Sequence, residues 1–387
     1  MMFMLNDEQR EIQEVARRFA QQELAPHAQE WDEQATFPAE LFPKLADLGL
    51  AGMLVPEEVG GANLGRLATA VVLEQLASAD LTTAVWLSVH NMVTNLIYRY
   101  GDAEQRQRWV VPMTAGKLLG AFSLSEANAG SDAAALTTSA RREGDSYILN
   151  GSKMWVTSAG VADVYAVMVK TDSAVGARGI TCFVLEKDMP GFSIGKIEHK
   201  MGMHASPTGE LLFEECRVPI ANRLGQEGQG FKIALSSLDG GRINIGASAT
   251  GLASAALDVA ARYAQERQQF GRAIGAYQGV QFMLADMAMK VEAARLMVYQ
   301  AGARADAGDP AMTYYAALAK CFATDAAMQV TTDAVQVLGG AGYVHDWPVE
   351  RYMRDAKVTQ IFEGTNQIQR VVIARQMLGK IATEGMR

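Results

Sequence analysis

A single carboxylate, Glu363, occupies an unusual place in the sequence. In "QIFEGTNQIQR" it follows the apolar pair Ile361 and Phe362 and precedes a Gly-Thr-Asn turn. A free glutamate, with a pKa of about 4.3, is a weak base, but burial raises the pKa of a carboxyl group toward the range in which general bases work. In a surface loop Glu363 would be a solvated charge. In a pocket it becomes a candidate base.

The turn around Glu363 has a local explanation of its own. Gly364 gives the backbone freedom to turn, and Thr365 is a residue type that caps the N-terminus of a helix through its side-chain oxygen. Together they predict a helix that begins directly after Thr365. They leave the carboxylate itself unexplained.

A polar stretch, "FSLSEANAGSD" from Phe122 to Asp132, stands near the middle of the chain. It clusters Ser125, Glu126, Gly130 and Ser131 on a predicted turn. Such a cluster is typical of a polar loop. It would also present backbone amides and hydroxyls to a planar, heteroatom-rich ligand or to a phosphate.

A second stretch, "KMWVTSAG", contains Trp155 and Thr157 two residues apart. Strand side chains alternate between faces, so these two are predicted to lie on the same face of a strand. A tryptophan in a strand usually belongs to a core. With a hydroxyl beside it, it could instead cover an aromatic ring and bond to the edge of that ring.

Two Gly-rich stretches lie in the last third. In "QERQQFGRAIGAYQG" two arginines, Arg267 and Arg272, flank Phe270 at a predicted helix end. Arginine there commonly caps helix carbonyls, and its guanidinium fork also suits a diphosphate. In "QVLGGAGYVHD" the glycines resemble half of a dinucleotide fingerprint, but they follow a helical segment instead of a strand, which disfavours a Rossmann site.

Composition excludes several classes of function. The formal net charge of −8 disfavours nucleic acid as a partner. The five histidines never fall at a helical i, i+4 pair, so no metal site is predicted. The three cysteines lie far apart, which indicates a reducing compartment. With neither an export signal nor a tract able to span a bilayer, we expect a soluble, cytoplasmic protein without membrane insertion.

The hydrophobic period changes twice along the chain. It is helical from Asn6 to about Lys117, strand-like to about Ala221, and helical again after Gly230. Within the strand region, "SYILNGSKMWVTSA" predicts two strands joined by a hairpin at Asn150 and Gly151. A chain of 387 residues is longer than one core usually fills, so three units in one compact body are expected.

Taken together, these stretches resemble the acyl-CoA dehydrogenase family over nearly the whole chain. "LSEANAGSDAAA" is similar to the first family signature, with Ala127 and Asn128 where many relatives have Pro-Gly. The matching positions of the second signature, "QVLGGAGYVHDWPVERYMRD", are Gln336, Gly339, Gly340, Gly342, Asp346, Arg351 and Asp355. The resemblance is closest to isobutyryl-CoA and other short-chain or short/branched-chain acyl-CoA dehydrogenases.

The resemblance implies an α+β, mostly α, fold. A helical N-terminal domain would span residues 1–118, a middle β-barrel domain residues 119–226, and a C-terminal four-helix bundle residues 227–387. FAD would lie between the β-barrel and the bundle and be reached by a neighbouring subunit, so a homotetramer is expected.

The resemblance also implies the site residues. Those expected around the flavin ring are Phe122, Leu124, Ser125, Gly130, Ser131, Trp155, Val156 and Thr157. Those expected at the diphosphate and adenine end are Arg267, Phe270 and Gln278, with Gln336, Gly339 and Gly340 from another subunit. Thr365, Asn366 and Gln367 should close over the cofactor. The expected substrate contacts are Ser131, Asp239, Gly240, Gly241, Arg242 and Gly364.

The implied reaction forms a trans-2,3-enoyl thioester from an acyl-CoA. A base removes the proton beside the carbonyl while hydride passes from the next carbon to flavin N5. The family places this base either on the loop that here contains Glu363 or on the helix that here contains Gly241. Since glycine cannot serve, Glu363 is the catalytic residue implied.

The substrate and the acceptor are less constrained. A short straight-chain or 2-methyl-branched acyl-CoA is expected, with electrons passed to electron-transferring flavoprotein. The alternatives are an acyl-CoA oxidase, a dehydrogenase for another acyl-CoA, and a non-catalytic or nucleic-acid-associated flavoprotein on the same fold. A non-catalytic or nucleic-acid-associated flavoprotein would be expected to have a basic bundle and no catalytic base. This chain instead has a net charge of −8 and contains Glu363.

Overall fold

The computed structural model describes residues 5–379. Within them, helices occupy the first and last parts of the chain and strands the middle, which confirms the predicted order. The N-terminal helices are α1 Asp7–Phe19, α2 Ala28–Gln34, α3 Leu41–Asp47, α4 Gly65–Ala79, α5 Leu81–Tyr100, α6 Ala103–Gln105 and α7 Val111–Thr114.

The start of α1 shows how the sequence sets a helix end. The side chain of Asn6 accepts a hydrogen bond from Gln9 N at 2.8 Å, and the side chain of Gln9 accepts one from Asn6 N at 3.0 Å. This reciprocal pair satisfies two backbone donors that the helix leaves free. The helix expected from the apolar spacing of this segment is therefore confirmed.

The middle of the chain forms one sheet. Its strands are β1 Gly120–Ser123, β2 Ser139–Glu143, β3 Ser146–Thr157, β4 Val164–Lys170, β5 Ile180–Glu186, β6 Phe192–Ile197, β7 Thr208–Pro219 and β8 Arg223–Leu224. Their order across the sheet is β6-β7-β3-β2-β4-β5-β8, with β1 beside β4. The strand β1 is parallel to β4, so it delivers the following loop to the end of the sheet near β3.

The hairpin predicted at Asn150 and Gly151 is wrong. Strand β3 runs straight through both residues, and the chain reverses earlier, between Glu143 and Ser146. A bulge at Gly151 explains the misleading signal: its φ is 136°, and an added Cβ would lie 2.8 Å from the Cα of Thr138. The Asn-Gly pair therefore allows a close backbone approach inside a strand instead of a turn.

The rest of the described chain is mainly helical. Its elements are α8 Gly230–Glu266, the short strands β9 Gln268–Gln269 and β10 Arg272–Ala273, then α9 Gln278–Asp306, α10 Met312–Leu338, α11 Val349–Thr359 and α12 Asn366–Leu378. Helices α8, α9 and α10 pack against one another, and α12 packs on α10. Helix α4 packs on α8 and α9, which joins the two helical parts.

Two observations bear on the compartment. Among the described residues no helix has the length and apolarity needed to cross a membrane. All three cysteines, Cys182, Cys216 and Cys321, are free thiols in buried positions.

Candidate active site

Glu363 lies in the turn between α11 and α12, in left-handed backbone with φ 53°. A residue with a side chain seldom adopts this conformation, which costs about 1–3 kcal/mol and persists only where the surroundings hold it. One such hold is Gln369, whose side-chain NH2 donates to the carbonyls of Glu363 (3.1 Å) and Gly364 (2.9 Å). Thr365 caps α12 by accepting a bond from Ile368 N, as predicted.

The carboxylate of Glu363 faces helix α8 at Gly241. A Cβ atom added to Gly241 would lie 2.8 Å from Oε2 of Glu363 and 2.9 Å from its Cδ. That Oε2 atom is buried and has no hydrogen-bond partner among residues 5–379. The structure therefore brings together the two alternative base positions, and glycine at one gives room for the carboxylate at the other.

Burial raises the pKa of Glu363 to about 7, against the opposing positive charges of Arg242 and Lys320. The burial of Glu363 differs from the sequence expectation, in which both Ile361 and Phe362 would cover it. Ile361 is 52% exposed, so only Phe362 of the apolar pair packs against the core. Gly241 of α8 also packs against the carboxylate.

The substrate residues expected on α8 lie next to this carboxylate. Arg242 is buried, donates to Asp239 Oδ1 at 2.7 Å, and leaves its Nε without a partner. The other oxygen of Asp239 accepts a bond from Thr313 at 2.6 Å. Asp239 is thus already hydrogen-bonded on both oxygens, which fixes Arg242 beside the base.

Two cations, one beside Gly240 and one bonded to the loop of Glu363, were not predicted. The guanidinium of Arg66, from the start of α4, occupies the space that a side chain on Gly240 would fill. Burial is the main cause that lowers the pKa of Arg66 to about 10. The other cation, Lys320, is fully buried in α10. Both are far from Glu363 in sequence, and only the unusual lysine in the apolar run "AALAKCFATDAA" gave a signal.

A cavity of about 430 Å³ opens between the first turns of α8 and the loop before β5. It reaches Asp239, one residue before Gly240. Its lining residues are Ala177, Arg178, Gly228, Phe231, Lys232, Leu235, Ser236 and Asp239. Apolar groups with two cations suit a long ligand that carries negative charge, and sequence analysis had not singled out this region.

The two polar stretches of the middle region meet, as their proposed joint role requires. Met154 N donates to the carbonyl of Ser125 at 2.9 Å, and the ammonium of Lys153 donates to the carbonyl of Leu124 at 3.1 Å. Glu126 anchors this junction: it accepts bonds from Lys153 and from the backbone N–H groups of residues 137 and 138. Burial opposes its ionisation, but the Lys153 charge and these bonds prevail and lower its pKa to about 2.

Trp155 lies at this junction with an unusual backbone. Its φ is 61° and its side chain is 58% exposed, while Val156 is buried and Thr157 half-buried. A bulge shifts the pairing with β7 between Lys153 and Val156. Simple alternation, on which the sequence prediction for Trp155 and Thr157 relied, is therefore interrupted here. Phe122 is half-buried on β1, and Gly130 and Ser131 are exposed in the loop after it.

The residues expected at the adenine end remain on the surface of the single chain. Phe270 is 94% exposed with φ 54°. The other exposed members of this set are Arg267, Gln278, Gln336, Gly339 and Gly340. Within residues 5–379 no hydrogen bond or ion pair joins them to the Glu363 loop or to the Trp155 junction.

The loop after Glu363 divides into an inner and an outer part. Asn366 is buried, and its side chain bonds to Thr324 Oγ1 at 2.8 Å and Asp325 Oδ1 at 2.7 Å. Its amide thereby ties α12 to α10. Thr365 is half-buried and Gln367 exposed, so these two remain accessible to a ligand.

This fold and site define the class of protein. Family models of the acyl-CoA dehydrogenase N-terminal, middle and C-terminal domains match residues 6–117, 121–216 and 228–378. The chain belongs to the acyl-CoA dehydrogenase family, and its fold is the family fold that the sequence predicted. It is an oxidoreductase of a family whose members are FAD flavoproteins.

Particular relatives cover nearly the full chain. The short-chain-specific acyl-CoA dehydrogenase of Clostridium acetobutylicum is 46% identical over 96% of this chain and 98% of its own. The mitochondrial isobutyryl-CoA dehydrogenase of Dictyostelium discoideum is 44% identical over 96% and 90%. The acryloyl-CoA reductase (NADH) of Anaerotignum propionicum is 45% identical over 97% and 96%.

Two solved structures superpose closely. Butyryl-CoA dehydrogenase from Megasphaera elsdenii matches with a TM-score of 0.95 and 44% identity over 98% of this chain and 100% of that one. A chain from the structure of the electron transferring flavoprotein of Acidaminococcus fermentans matches with a TM-score of 0.96 and 48% identity, over 98% and 100%.

The residues present fit FAD. A flavin ring requires a flat apolar surface with hydrogen-bonding groups at its edge, and the exposed indole of Trp155 directly follows Met154, whose N–H donates to the carbonyl of Ser125. Trp155, Phe270 and Glu363 all have positive φ, and such strain concentrates at ligand sites. An added Cβ at Gly130, Gly339 or Gly340 would meet no atom within 4 Å, so backbone amides there stay approachable.

Proposed function

We propose that this protein oxidises a short straight-chain or 2-methyl-branched acyl-CoA to the trans-2,3-enoyl-CoA, with Glu363 as the base. The observation that carries the proposal is the buried, unpartnered Oε2 of Glu363 beside Gly241. A carboxylate oxygen without a protein partner is free to accept a proton from a bound molecule. Glycine at residue 241 places no side chain in the space that the Glu363 carboxylate occupies.

The environment of Glu363 suits it to remove a weakly acidic proton. General bases act best when their pKa lies near the working pH, and burial raises the pKa of Glu363 to about 7. The left-handed turn and the two bonds from Gln369 hold its backbone in place. Arg242, fixed by Asp239, adds positive charge near the developing enolate.

Bound FAD supplies the acceptor for the hydride that leaves the neighbouring carbon. We assign Leu124, Ser125, Trp155, Val156 and Thr157 to the flavin ring, with Phe122, Gly130 and Ser131 beside them. Thr365 and Gln367 cover the cofactor, while Asn366 holds their helix. The exposed set around Arg267 and Gln336 binds the diphosphate and adenine end across a subunit boundary.

The cavity beside α8 is assigned to the coenzyme A part of the substrate. Its lining combines apolar side chains such as Phe231 and Leu235 with the cations Arg178 and Lys232. Coenzyme A combines an extended arm with phosphates, which this lining matches. The cavity reaches Asp239, so the thioester end of the substrate would enter between Asp239 and Glu363.

The names of the relatives support the proposed chain length and branching of the acyl group. Their names include short-chain and isobutyryl-CoA dehydrogenases, and this chain is 46% and 44% identical to them over almost its full length. We propose electron-transferring flavoprotein as the acceptor, supported by the match to a chain from such a structure.

A homotetramer in the cytoplasm is the proposed state of the protein. Helix α9 presents an exposed apolar stripe of Phe282 (59%), Met289 (63%) and Leu296 (53%), one residue every two turns. A stripe of this kind is costly in water and typical of a subunit interface. Light scattering should give about four times the chain mass of 41.7 kDa.

The test of the reaction is anaerobic bleaching of the bound flavin. The purified yellow protein would be mixed in turn with butyryl-, isobutyryl-, 2-methylbutyryl-, isovaleryl- and octanoyl-CoA. Fast bleaching by one of the first three is expected, and no bleaching by any thioester would exclude the dehydrogenase function. Glu363→Gln should still bind FAD and substrate but bleach at least about 1,000-fold more slowly. Normal bleaching in that variant would remove Glu363 from its role.

A further inference from the structure

Lys320 is a buried charge that the reaction described above does not use. Its side chain is 0% exposed in the middle of α10. Both hydrogen bonds that the structure gives to its ammonium go to the loop of the base: 2.9 Å to the carbonyl of Gly364 and 2.8 Å to Oδ1 of Asn366. Burying an ammonium group is costly unless its charge is compensated, so its place under this loop requires an explanation.

A purely mechanical role does not explain the charge. The same carbonyl of Gly364 already accepts a bond from neutral Gln369 at 2.9 Å. Asn366 is also held by Thr324 and Asp325. A neutral side chain at residue 320 would therefore leave both the turn and α12 attached to their neighbours.

The charge acts on Glu363. We propose that Lys320 is a positioning residue for the base. Its hydrogen bond to the carbonyl of Gly364 fixes the turn that contains Glu363, and its positive charge favours the ionised form of the Glu363 carboxylate. The inference rests on the proposed role of Glu363 and names a second residue on which that role depends. Neither the domain matches nor the names of the relatives assign any role to this lysine.

The other charged side chains around Glu363 have carboxylate partners of their own, so Lys320 contributes separately to the electrostatic environment of the base. From α8, buried Arg242 faces Glu363, but its charge is shared with Asp239. From α12, Gln369 is neutral, and Arg370 pairs with Asp325 of α10. Lys320 forms no such ion pair within residues 5–379. Of the two cations that act on Glu363, Arg242 and Lys320, only Lys320 has no carboxylate within 4.0 Å among residues 5–379.

Lys320 is protonated over the pH range in which Glu363 ionises. Burial lowers its pKa to about 8, with the charge of Glu363 as the main opposing influence. The lysine therefore remains charged while Glu363, with a pKa of about 7, loses its proton. Loss of the lysine charge would raise the pKa of the base further, because burial would then be opposed by Arg242 alone.

The test is the pH dependence of kcat/KM, which reports ionisation in the free enzyme. Lys320→Met, in the FAD-loaded protein, should move the rising limb up by about one pH unit. At pH 6 its kcat/KM should fall about tenfold below that of the parent enzyme, and at pH 9 the two should agree within about twofold. Recovery at high pH is a result that lost packing would not give.

The matched control is Gln369→Leu, which removes a bond to the same Gly364 carbonyl but no charge. It should lower kcat/KM by a similar factor at every pH and leave the limb in place. If Lys320→Met fails to fold, Lys320→Gln keeps a donor and tests the charge alone. An unmoved limb in the folded lysine variants, or an equal shift in Gln369→Leu, would overturn the inference. Glu363→Gln is the separate test of the base itself.

Discussion

The ammonium of Lys153 lies 2.7 Å from Oε1 of Glu126, and the two side chains are 0% and 8% exposed. This buried pair joins β3 to the loop after β1, which are the two segments assigned to the flavin ring. It also lets Lys153 hold the carbonyl of Leu124. The stretch that resembles the first family signature therefore contains an internal salt bridge as well as the groups proposed to bind the cofactor.

Glu126→Gln should destabilise the protein by about 3–5 kcal/mol, because it leaves the Lys153 charge buried and uncompensated. The free energy of unfolding in urea measures this, and the flavin content of the purified variant should fall with it. Glu143→Gln is the matched control, since Glu143 pairs with Arg217 on the surface of the same sheet. That variant should change stability by less than about 1 kcal/mol. Equal effects of the two variants would contradict the prediction.

The same pair has a predicted pH dependence. Its net effect lowers the pKa of Glu126 to about 2, below the ordinary value of 4.5. The stabilisation is thus present above pH 4.5 and lost as pH falls toward 2. Between pH 5 and pH 3 the melting temperature of the parent protein should fall more steeply than that of Glu126→Gln. Parallel curves would show that Glu126 does not titrate in this way.

Ionisation of Glu363 should control the acid side of the reaction. Burial raises its pKa from the ordinary value of 4.5 to about 7, and only the ionised form is a base. We therefore expect kcat/KM to rise about tenfold per pH unit up to about pH 7 and then level. The measurement is flavin bleaching under single-turnover conditions between pH 5.5 and 9. A plateau that begins near pH 5 would show that the carboxylate is not buried in solution.

Stability should move in the opposite direction to activity. A carboxyl group with a raised pKa in the folded state favours folding when protonated, so stability falls as pH rises from about 4.5 to about 7. The loss is up to about 3 kcal/mol. Glu363→Gln cannot ionise, so its melting temperature relative to the parent should be higher at pH 8 than at pH 5. If the difference between the two proteins is the same at both pH values, burial of the charge is excluded.

A methyl group at residue 241 should disturb the base without removing it. In Gly241→Ala the added Cβ would lie within 3.0 Å of three carboxyl atoms of Glu363, closer than such contacts allow. We expect kcat to fall by about 10- to 100-fold with normal FAD content. Gly279→Ala, where an added Cβ meets no atom within 4 Å, is the control and should be nearly silent. Normal turnover in Gly241→Ala would show that the Glu363 turn shifts to accommodate the methyl group without loss of activity.

Local signals in the sequence were sufficient for the elements that depend on them. The Thr365 cap and the change of hydrophobic period located helices and strands correctly. The Asn150-Gly151 pair failed because its effect depends on Thr138, the residue just before β2, which a hairpin rule cannot include. Register and bulges are set by such cross-strand contacts.

The candidate site was predictable at Glu363 and less so around it. The carboxylate stood out because its neighbours are apolar, and Gly241 because it leaves one base position empty. Arg66 could not be placed beside Gly240, nor Lys320 beside the Glu363 loop, from spacing alone, since α4 and α10 meet α8 and α12 only after folding. Long-range packing of this kind also determines how far the pKa of Glu363 moves.

The contact between Gly241 and Glu363 limits how such an enzyme can evolve. Family members place the base on one of these two elements, and here both positions converge on one small volume. A single substitution that introduces a side chain at residue 241 crowds the carboxylate of Glu363, and one that replaces Glu363 removes the proposed base. A lineage that exchanges one arrangement for the other by single steps must therefore pass through a poorly active ancestor. Each arrangement is thereby protected against gradual replacement by the other.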